Sequence, residues 1–167
     1  KNVDYIIVGC GLAGIAFCEQ LRKAGKSFMV FDNNSQKSSS VAAGIYNPVI
    51  LKRFTPAWMA KQQLQVALPL YQQMEHLLKV KLNYPISVRR KFMSIEEQNN
   101  WGVASDKPVL SNFMQAEILS NENPSVTAKL GFGNVLHSGR IHTKKLIQYY
   151  RMYLSENNRL AKNNFML

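Results

Sequence analysis

Cysteine, acidic side chains and long apolar runs are all scarce in this sequence, and each scarcity excludes something. The chain holds 2 cysteines in 167 residues. If Cys10 and Cys18 lie on or just before one helix, the 1.5 Å rise per residue separates them by about 12 Å. A disulfide tolerates only ~7 Å between Cα atoms, so the pair reads as reduced thiols, which fits a cytoplasmic protein. No apolar run approaches the roughly 20 residues that span a bilayer. Tyr5 to Cys18, with Lys1 as a basic start, has the look of a leader, and Ile7-Val8-Gly9-Cys10 resembles a lipidation box. Few residues precede Cys10 to form a hydrophobic region, and Asp4 interrupts them, so no leader is expected.

Acidic residues number 10 against 21 basic ones, for a formal charge of +11. Such an excess marks a nucleic-acid partner only where the bases cluster. Here they are scattered as Lys52-Arg53, Lys79, Lys81, Arg89-Arg90-Lys91 and Lys144-Lys145, with no run of five. On a strand, Arg89 to Lys91 alternate faces and form no single patch. The charge reads as a solvated basic surface, balanced by acidic residues elsewhere in a longer polypeptide, rather than as a nucleic-acid site. His137 and His142 have no nearby Cys or Asp to complete a ligand set, and His76 reads as a helix-boundary residue, so no metal site is expected. No segment repeats.

What the chain does have is a globular composition, with 46% apolar and 19% charged residues. Residues 4–8 form a short β-branched run ending in glycine, the pattern of a buried parallel strand. From Leu12 the period turns helical as far as Ala24, and Gly25 stands where a helix C′ residue belongs. Residues 27–31 make a second strand, closed by Asp32. Strand, helix and strand in about 30 residues constitute a βαβ unit. Residues 33–40 are rich in Asn and Ser and read as a loop.

Further on, Thr55-Pro56 has the form of a helix start, and Leu64, Ala67, Leu68, Tyr71, Met74, Leu77 and Leu78 keep helical period. Pro69 should kink or break that helix. Strands are expected over 86–95, 113–119, 126–130 and 134–137, with the last two forming a hairpin around Gly131 and Gly133. A helical turn is expected at 96–101. A final helix should be capped by Thr143 and carry Leu146, Ile147, Tyr150, Tyr153 and Leu154 on one face. Residues 159–167 should open another strand.

The motif that carries chemistry is Gly9-Cys10-Gly11-Leu12-Ala13-Gly14. G-x-G-x-x-G alone is weak, but here it follows a strand, opens a helix and is answered by Asp32 about 20 residues on. Gly9 allows the tight turn. Gly11 lets a diphosphate reach the backbone, and Gly14 lets the helix pack on the strand. The helix N-terminus offers Leu12, Ala13 and Gly14 amides and partial positive charge to that diphosphate. Asp32 and the adjoining Asn33 suit ribose hydroxyls. The residues directly after Asp32 are Asn33 and Asn34, with no arginine among them to take a 2′-phosphate, which disfavours NADP. Cys10, at a position that tolerates many residues, reads as structural.

The next segment, Ser38-Ser39-Ser40-Val41-Ala42-Ala43-Gly44-Ile45, resembles the Ser-rich Ala-Ala-Gly segment of the glycine oxidase and D-amino-acid oxidase family of flavoproteins. The opening Asp4 to Gly14 is similar to that family's N-terminus. Ser138-Gly139-Arg140-Ile141-His142-Thr143 resembles its turn back from substrate domain to cofactor domain. The resemblance implies FAD as cofactor. It sets Ser39 and Ser40 near the phosphates and Ala43, Gly44 and Ile45 toward the flavin, with Ala42 also in the cofactor-binding segment. Tyr46 and Asn47 follow as candidates to face substrate.

It further implies an α/β fold, with an FAD-binding Rossmann-like portion over residues 1–51 and 138–167. A second, α+β, substrate-domain-like region would span residues 52–137. The implied activity is oxidation of a small-molecule amine or amino acid by hydride transfer to flavin. Asp32 departs from the family's usual glutamate while keeping its chemistry. The family also continues beyond the length present here, so a C-terminal half of the polypeptide is expected elsewhere, and catalytic residues stay unassigned. Two other readings stay open: a flavoprotein acting on a tRNA-attached amine, and a dinucleotide-binding protein without catalysis.

Overall fold

A computed structural model describes residues 2–35, 37–163 and 165. In chain order the elements are β1 (Tyr5–Val8), α1 (Leu12–Lys23), β2 (Phe28–Phe31), α2 (Ser38–Val41), β3 (Ile45–Tyr46), β4 (Val49–Ile50), β5 (Thr55–Pro56) and α3 (Ala60–Leu78). They continue with β6 (Asn83–Pro85), β7 (Val88–Lys91), α4 (Ile95–Ser105), β8 (Phe132–Val135), β9 (Gly139–Ile141), α5 (Thr143–Glu156) and β10 (Leu160–Ala161). The chain is α/β and falls into two compact units. One comprises Lys1–Gly44, Leu70–Leu82 and Ile141–Leu167, and the other Ile45–Pro69 and Asn83–Arg140.

The first unit is built on a parallel sheet of order β1-β2-β10, with Tyr5 opposite Phe28 and Leu160 opposite Val30. Helix α1 ends as its sequence dictates. Gly25 takes φ +66°, its N–H donates to Arg22 O, and the Lys26 N–H donates to Leu21 O, which is a Schellman closure. Ile15, Cys18, Glu19 and Leu21 of α1 are buried, as are Leu146, Tyr150 and Leu154 of α5. Strand β1 is less buried than its composition suggests: Ile7 is covered, but Tyr5, Ile6 and Val8 are exposed. The reason is its place at the margin of the sheet, where among the described residues only β2 pairs with it.

The second unit holds a three-stranded sheet of order β3-β9-β6 and two antiparallel pairs, β4-β5 and β7-β8. Its core gathers Phe92, Trp101, Leu110, Phe113, Met114 and Val135. The Trp101 indole donates to Gln115 O at 2.8 Å, and its ring meets Phe54 and Phe92 edge-on.

Several local expectations are corrected. Residues 38–41 form a short helix where a loop was expected, held by Ser40 and Val41 amides donating to Lys37 O. Thr55-Pro56 is a strand, not a helix start, because both residues pair with Ile50 and Val49 in a hairpin. Helix α3 begins at Ala60 and runs through Pro69 to Leu78 without a break. The boundary between the two units falls directly after Pro69. The expected strand over 86–95 is shorter, because Ser94 accepts the Glu97 N–H and starts α4. That helix extends to Ser105, well beyond a single turn.

Residues 113–119 make only isolated bridges, Met114 to Val135 and Leu119 to Phe132. Residues 126–130 form no strand and only end in a turn, and β8 pairs with β7 instead. Gly131, at φ +70°, redirects the chain there. Helix α5 is capped by His142, whose Nδ1 accepts the Lys145 N–H, while the Thr143 hydroxyl donates to Ala42 O at 3.1 Å. Of the last expected strand, Leu160–Ala161 forms as β10; Asn164, Met166 and Leu167 lie outside the described residues.

Candidate dinucleotide-binding site

The site is assembled at the ends of β1 and β2 within the first unit. Gly9 takes φ +98° and its N–H donates to Phe31 O at 2.8 Å, which ties the turn to the neighbouring strand. A Cβ at position 14 would collide with the Gly9 carbonyl, so only glycine lets α1 start this close to the turn. Gly11 is the N-cap of α1, and no side chain caps the helix. The first-turn amides at Leu12, Ala13 and Gly14 thus keep the anion-binding capacity of a helix N-terminus.

Helix α2 brings Ser39 to the same place. A Cβ on Gly11 would lie 3.4 Å from Ser39 Oγ, so this hydroxyl faces the glycine turn. The Ser40 hydroxyl instead donates to Lys37 O at 2.7 Å, within its own turn of α2. Ala42 and Ala43 are exposed beyond it. Gly44, at φ +72°, sits so near the Ile141 carbonyl that any Cβ would clash, and the Ile141 N–H donates to Gly44 O at 2.9 Å. Ile45 belongs to the second unit, where it opens β3 opposite Arg140. Tyr46 and Asn47, also there, are engaged locally. The Tyr46 hydroxyl donates to Asn83 Oδ1, and Asn47 Oδ1 accepts the Val49 N–H.

Asp32 follows the last residue of β2 and is half-buried. Its Oδ1 accepts the Asn34 N–H at 3.0 Å, and its Oδ2 accepts a guanidinium hydrogen from Arg151 of α5. Sequence reasoning missed this arginine. It looked for a cation beside Asp32 along the chain, whereas Arg151 arrives from 119 residues away. A carboxylate oxygen can accept more than one hydrogen bond, so Asp32 keeps capacity for further donors. Asn33 is exposed beside it, its Oδ1 accepting the Ser35 N–H.

Cys10 and Cys18 are free and buried. Burial pushes the Cys10 thiol up to about 12 and the Cys18 thiol up to about 11, so neither is a nucleophile near neutral pH. Among the described residues, no group of three His, Cys, Asp or Glu is placed to hold a metal. No helix among them is long and apolar enough to cross a membrane.

Comparison with known proteins agrees with this geometry. Residues 7–51 match the family described as NAD(P)-binding Rossmann-like domain. Among solved structures, glycine oxidase from Bacillus cereus superposes with a TM-score of 0.69 at 15% identity, covering 92% of this chain and 45% of that one. Iminodiacetate oxidase from Chelativorans sp. BNC1 gives 0.67 at 12%, covering 96% and 46%. L-α-glycerophosphate oxidase from Mycoplasma pneumoniae, in a structure with FAD bound, gives 0.59 at 16%, covering 96% and 44%. The chain therefore spans less than half the length of each. At such identities the likeness is one of fold: the chain carries a Rossmann-like dinucleotide-binding fold of the kind found in these oxidases.

Proposed function

We propose that this chain is the cofactor-binding portion of an FAD-dependent oxidoreductase that oxidises a small amine or amino acid. The observation that carries the reading is the uncapped glycine turn with the Ser39 hydroxyl set against Gly11. Amides and a hydroxyl converging on a space with no side chain in it suit a diphosphate. In this reading Gly9, Gly11, Leu12, Ala13 and Gly14 hold the diphosphate, with Ser39 and Ser40 beside it. Ser39 is the better placed of the two, since Ser40 is bonded to its own helix turn. Asp32 and Asn33 take the ribose. Ala42, Ala43, Gly44 and Ile45 run along the flavin side, where small residues let backbone pass a flat ring.

The choice of FAD over NAD rests on the segment after Asp32. The βαβ unit serves either cofactor, and the family description names NAD(P). The Ser-rich Ala-Ala-Gly segment tips the reading, supported by the FAD present in the glycerophosphate oxidase structure. A bound flavin would supply the two-electron acceptor, leaving orientation and electrostatics to the protein. The relatives named above oxidise different substrates by their names, and one fold hosts many activities, so the amine class is the finer part of the proposal.

The test is the visible absorbance spectrum of the intact polypeptide, with released cofactor identified by chromatography. FAD is expected in the parent and lost in Gly11→Val. NAD alone, or a colourless protein taking up no FAD on titration, would overturn the reading. Bound flavin that no amine or amino acid bleaches would leave a dinucleotide-binding protein without this activity.

A further inference from the structure

In the second unit, the β4-β5 hairpin, the start of α3 and the segment after α4 line two cavities. One, of about 390 Å³, takes Lys52, Arg53 and Phe54 from the hairpin, Val103 from α4, and Lys107. The other, of about 480 Å³, takes Pro56, Met59 and Ala60 together with Pro108 and Val109. Lys107 and Pro108 are consecutive, so the two cavities adjoin.

This face is apolar where it meets water. Trp58 is 79% exposed, and Met59, Val103 and Val109 are exposed too. Val66, four residues past the cavity-lining Gln62 and so on the same stripe of α3, is also exposed. Trp58 stands on the turn between β5 and α3. Its carbonyl accepts the Gln63 side-chain amide at 2.9 Å, and Met59 takes φ +48°, so the turn is fixed. Single exposed apolar side chains are ordinary, but a cluster that includes a tryptophan marks a contact surface.

Cations accompany the cluster: Lys52, Arg53 and Lys107 at the first cavity and Lys61 at the second. The sequence has no Asp or Glu from Ile45 to Pro69. Glu97 lines the first cavity but is bonded by Arg90 at 2.6 Å, and Asp106 adjoins Lys107. Tryptophan and aliphatic groups among Lys and Arg suit an anionic bilayer surface. The apolar groups enter the headgroup layer while the cations meet its phosphates. A protein partner suits the tryptophan but not the lysines, which protein interfaces deplete. A nucleic acid suits the cations and leaves the aliphatic groups in water.

We propose that this face docks on the surface of a bilayer containing anionic phospholipid. Trp58, Met59 and Val109 enter the headgroup layer, and Lys52, Arg53, Lys61 and Lys107 hold it by charge. The docking does not depend on the dinucleotide site: none of Gly9 to Gly14, Asp32 or Ser39 lines either cavity.

The experiment is co-sedimentation of the intact polypeptide with vesicles of phosphatidylcholine, with or without phosphatidylglycerol. Binding is expected to be at least about tenfold stronger with phosphatidylglycerol and to weaken with added salt. Trp101 is fully buried, so the emission difference between the parent and Trp58→Phe isolates Trp58. That difference should shift to the blue on vesicle addition and be quenched by brominated lipid. Lys52→Glu/Arg53→Glu, checked for folding by circular dichroism, should lose at least about tenfold in vesicle affinity. Lys23→Glu/Lys26→Glu, the same charge change in the first unit, should stay within about twofold of the parent. No binding to anionic vesicles, or equal loss in both charge pairs, would overturn the proposal. So would a Trp58 signal already shielded from acrylamide without vesicles, which would mean that other protein covers this face.

Discussion

The Tyr150 hydroxyl donates to the carboxylate of Glu19 at 2.9 Å, joining two helices whose partners are 131 residues apart in sequence. Glu19 is fully buried, and its carboxylate also accepts hydrogen bonds from Arg22, at 2.8 Å for the closest. A buried carboxylate is tolerable only with such partners. Burial first, and then the Glu19 charge, push the Tyr150 phenol well above its ordinary range, so it remains a donor at any working pH. The α1–α5 contact is therefore fixed by a polar bond set in an apolar interface.

Tyr150→Phe keeps the ring and removes the donor. The expected loss is about 1–3 kcal/mol, the usual cost of leaving a buried polar group short of a partner. Urea denaturation monitored by circular dichroism measures it. A loss no larger than that of an exposed control such as Gln20→Ala would show that the bond does not matter.

Gly133 offers a second prediction, in the other unit. A Cβ there would sit inside the contact distance of the Trp101 ring. The indole is fully buried and anchored to Gln115 O, so it has little room to give way. Gly133→Ala should destabilise by about 1–3 kcal/mol through overpacking, and should alter the tryptophan emission of the folded state. Unchanged emission together with unchanged stability would mean that the ring moves freely.

The βαβ unit was legible in the sequence because every part of it is local. Strand, glycine turn, helix and Asp32 follow one another within a single stretch, and the Gly25 cap is dictated by neighbours alone. Ser39 could be placed near the glycine turn only by resemblance, and the Ser40 hydroxyl donates to Lys37 O because the segment coils into a helix. Where long-range pairing decides, the sequence is mute. Thr55-Pro56 has the local form of a helix start, yet pairing with Val49 and Ile50 makes it a strand. Residues 126–130 have the composition of a strand and find no ladder partner among the described residues. Arg151 reaches Asp32 from a distant helix, and no neighbour of either residue announces it.

The two thiols give a pH prediction. Their ordinary value is near 9, and burial raises Cys10 to about 12 and Cys18 to about 11. Raised pKa values mean that the folded state holds its protons more tightly than the unfolded one. The contribution is fully present below pH 9 and is lost as pH rises from there through about 11 and then about 12. Stability should therefore fall across that alkaline window, and less steeply in Cys10→Ala/Cys18→Ala. At pH 8 a thiol reagent should find neither cysteine in the native protein and both in urea. Fast native labelling would contradict the burial.

Asp32 carries the last prediction, and it depends on the proposed cofactor. Its two oxygens are already engaged by the Asn34 amide and the Arg151 guanidinium, so ribose hydroxyls must share an occupied carboxylate. A hydrogen bond to a charged group contributes about 1.5–3 kcal/mol. Asp32→Ala should therefore weaken FAD binding by roughly ten- to a hundredfold. Arg151→Met should act differently. It leaves a carboxylate of low exposure without its counter-ion, so thermal stability should fall while Asp32 remains available to the ribose. Flavin fluorescence on titration gives the affinities, and melting curves give the stabilities. If Asp32→Ala keeps its affinity for FAD while Arg151→Met loses it, then Arg151 and not Asp32 holds the cofactor, and the assignment of the ribose to Asp32 fails.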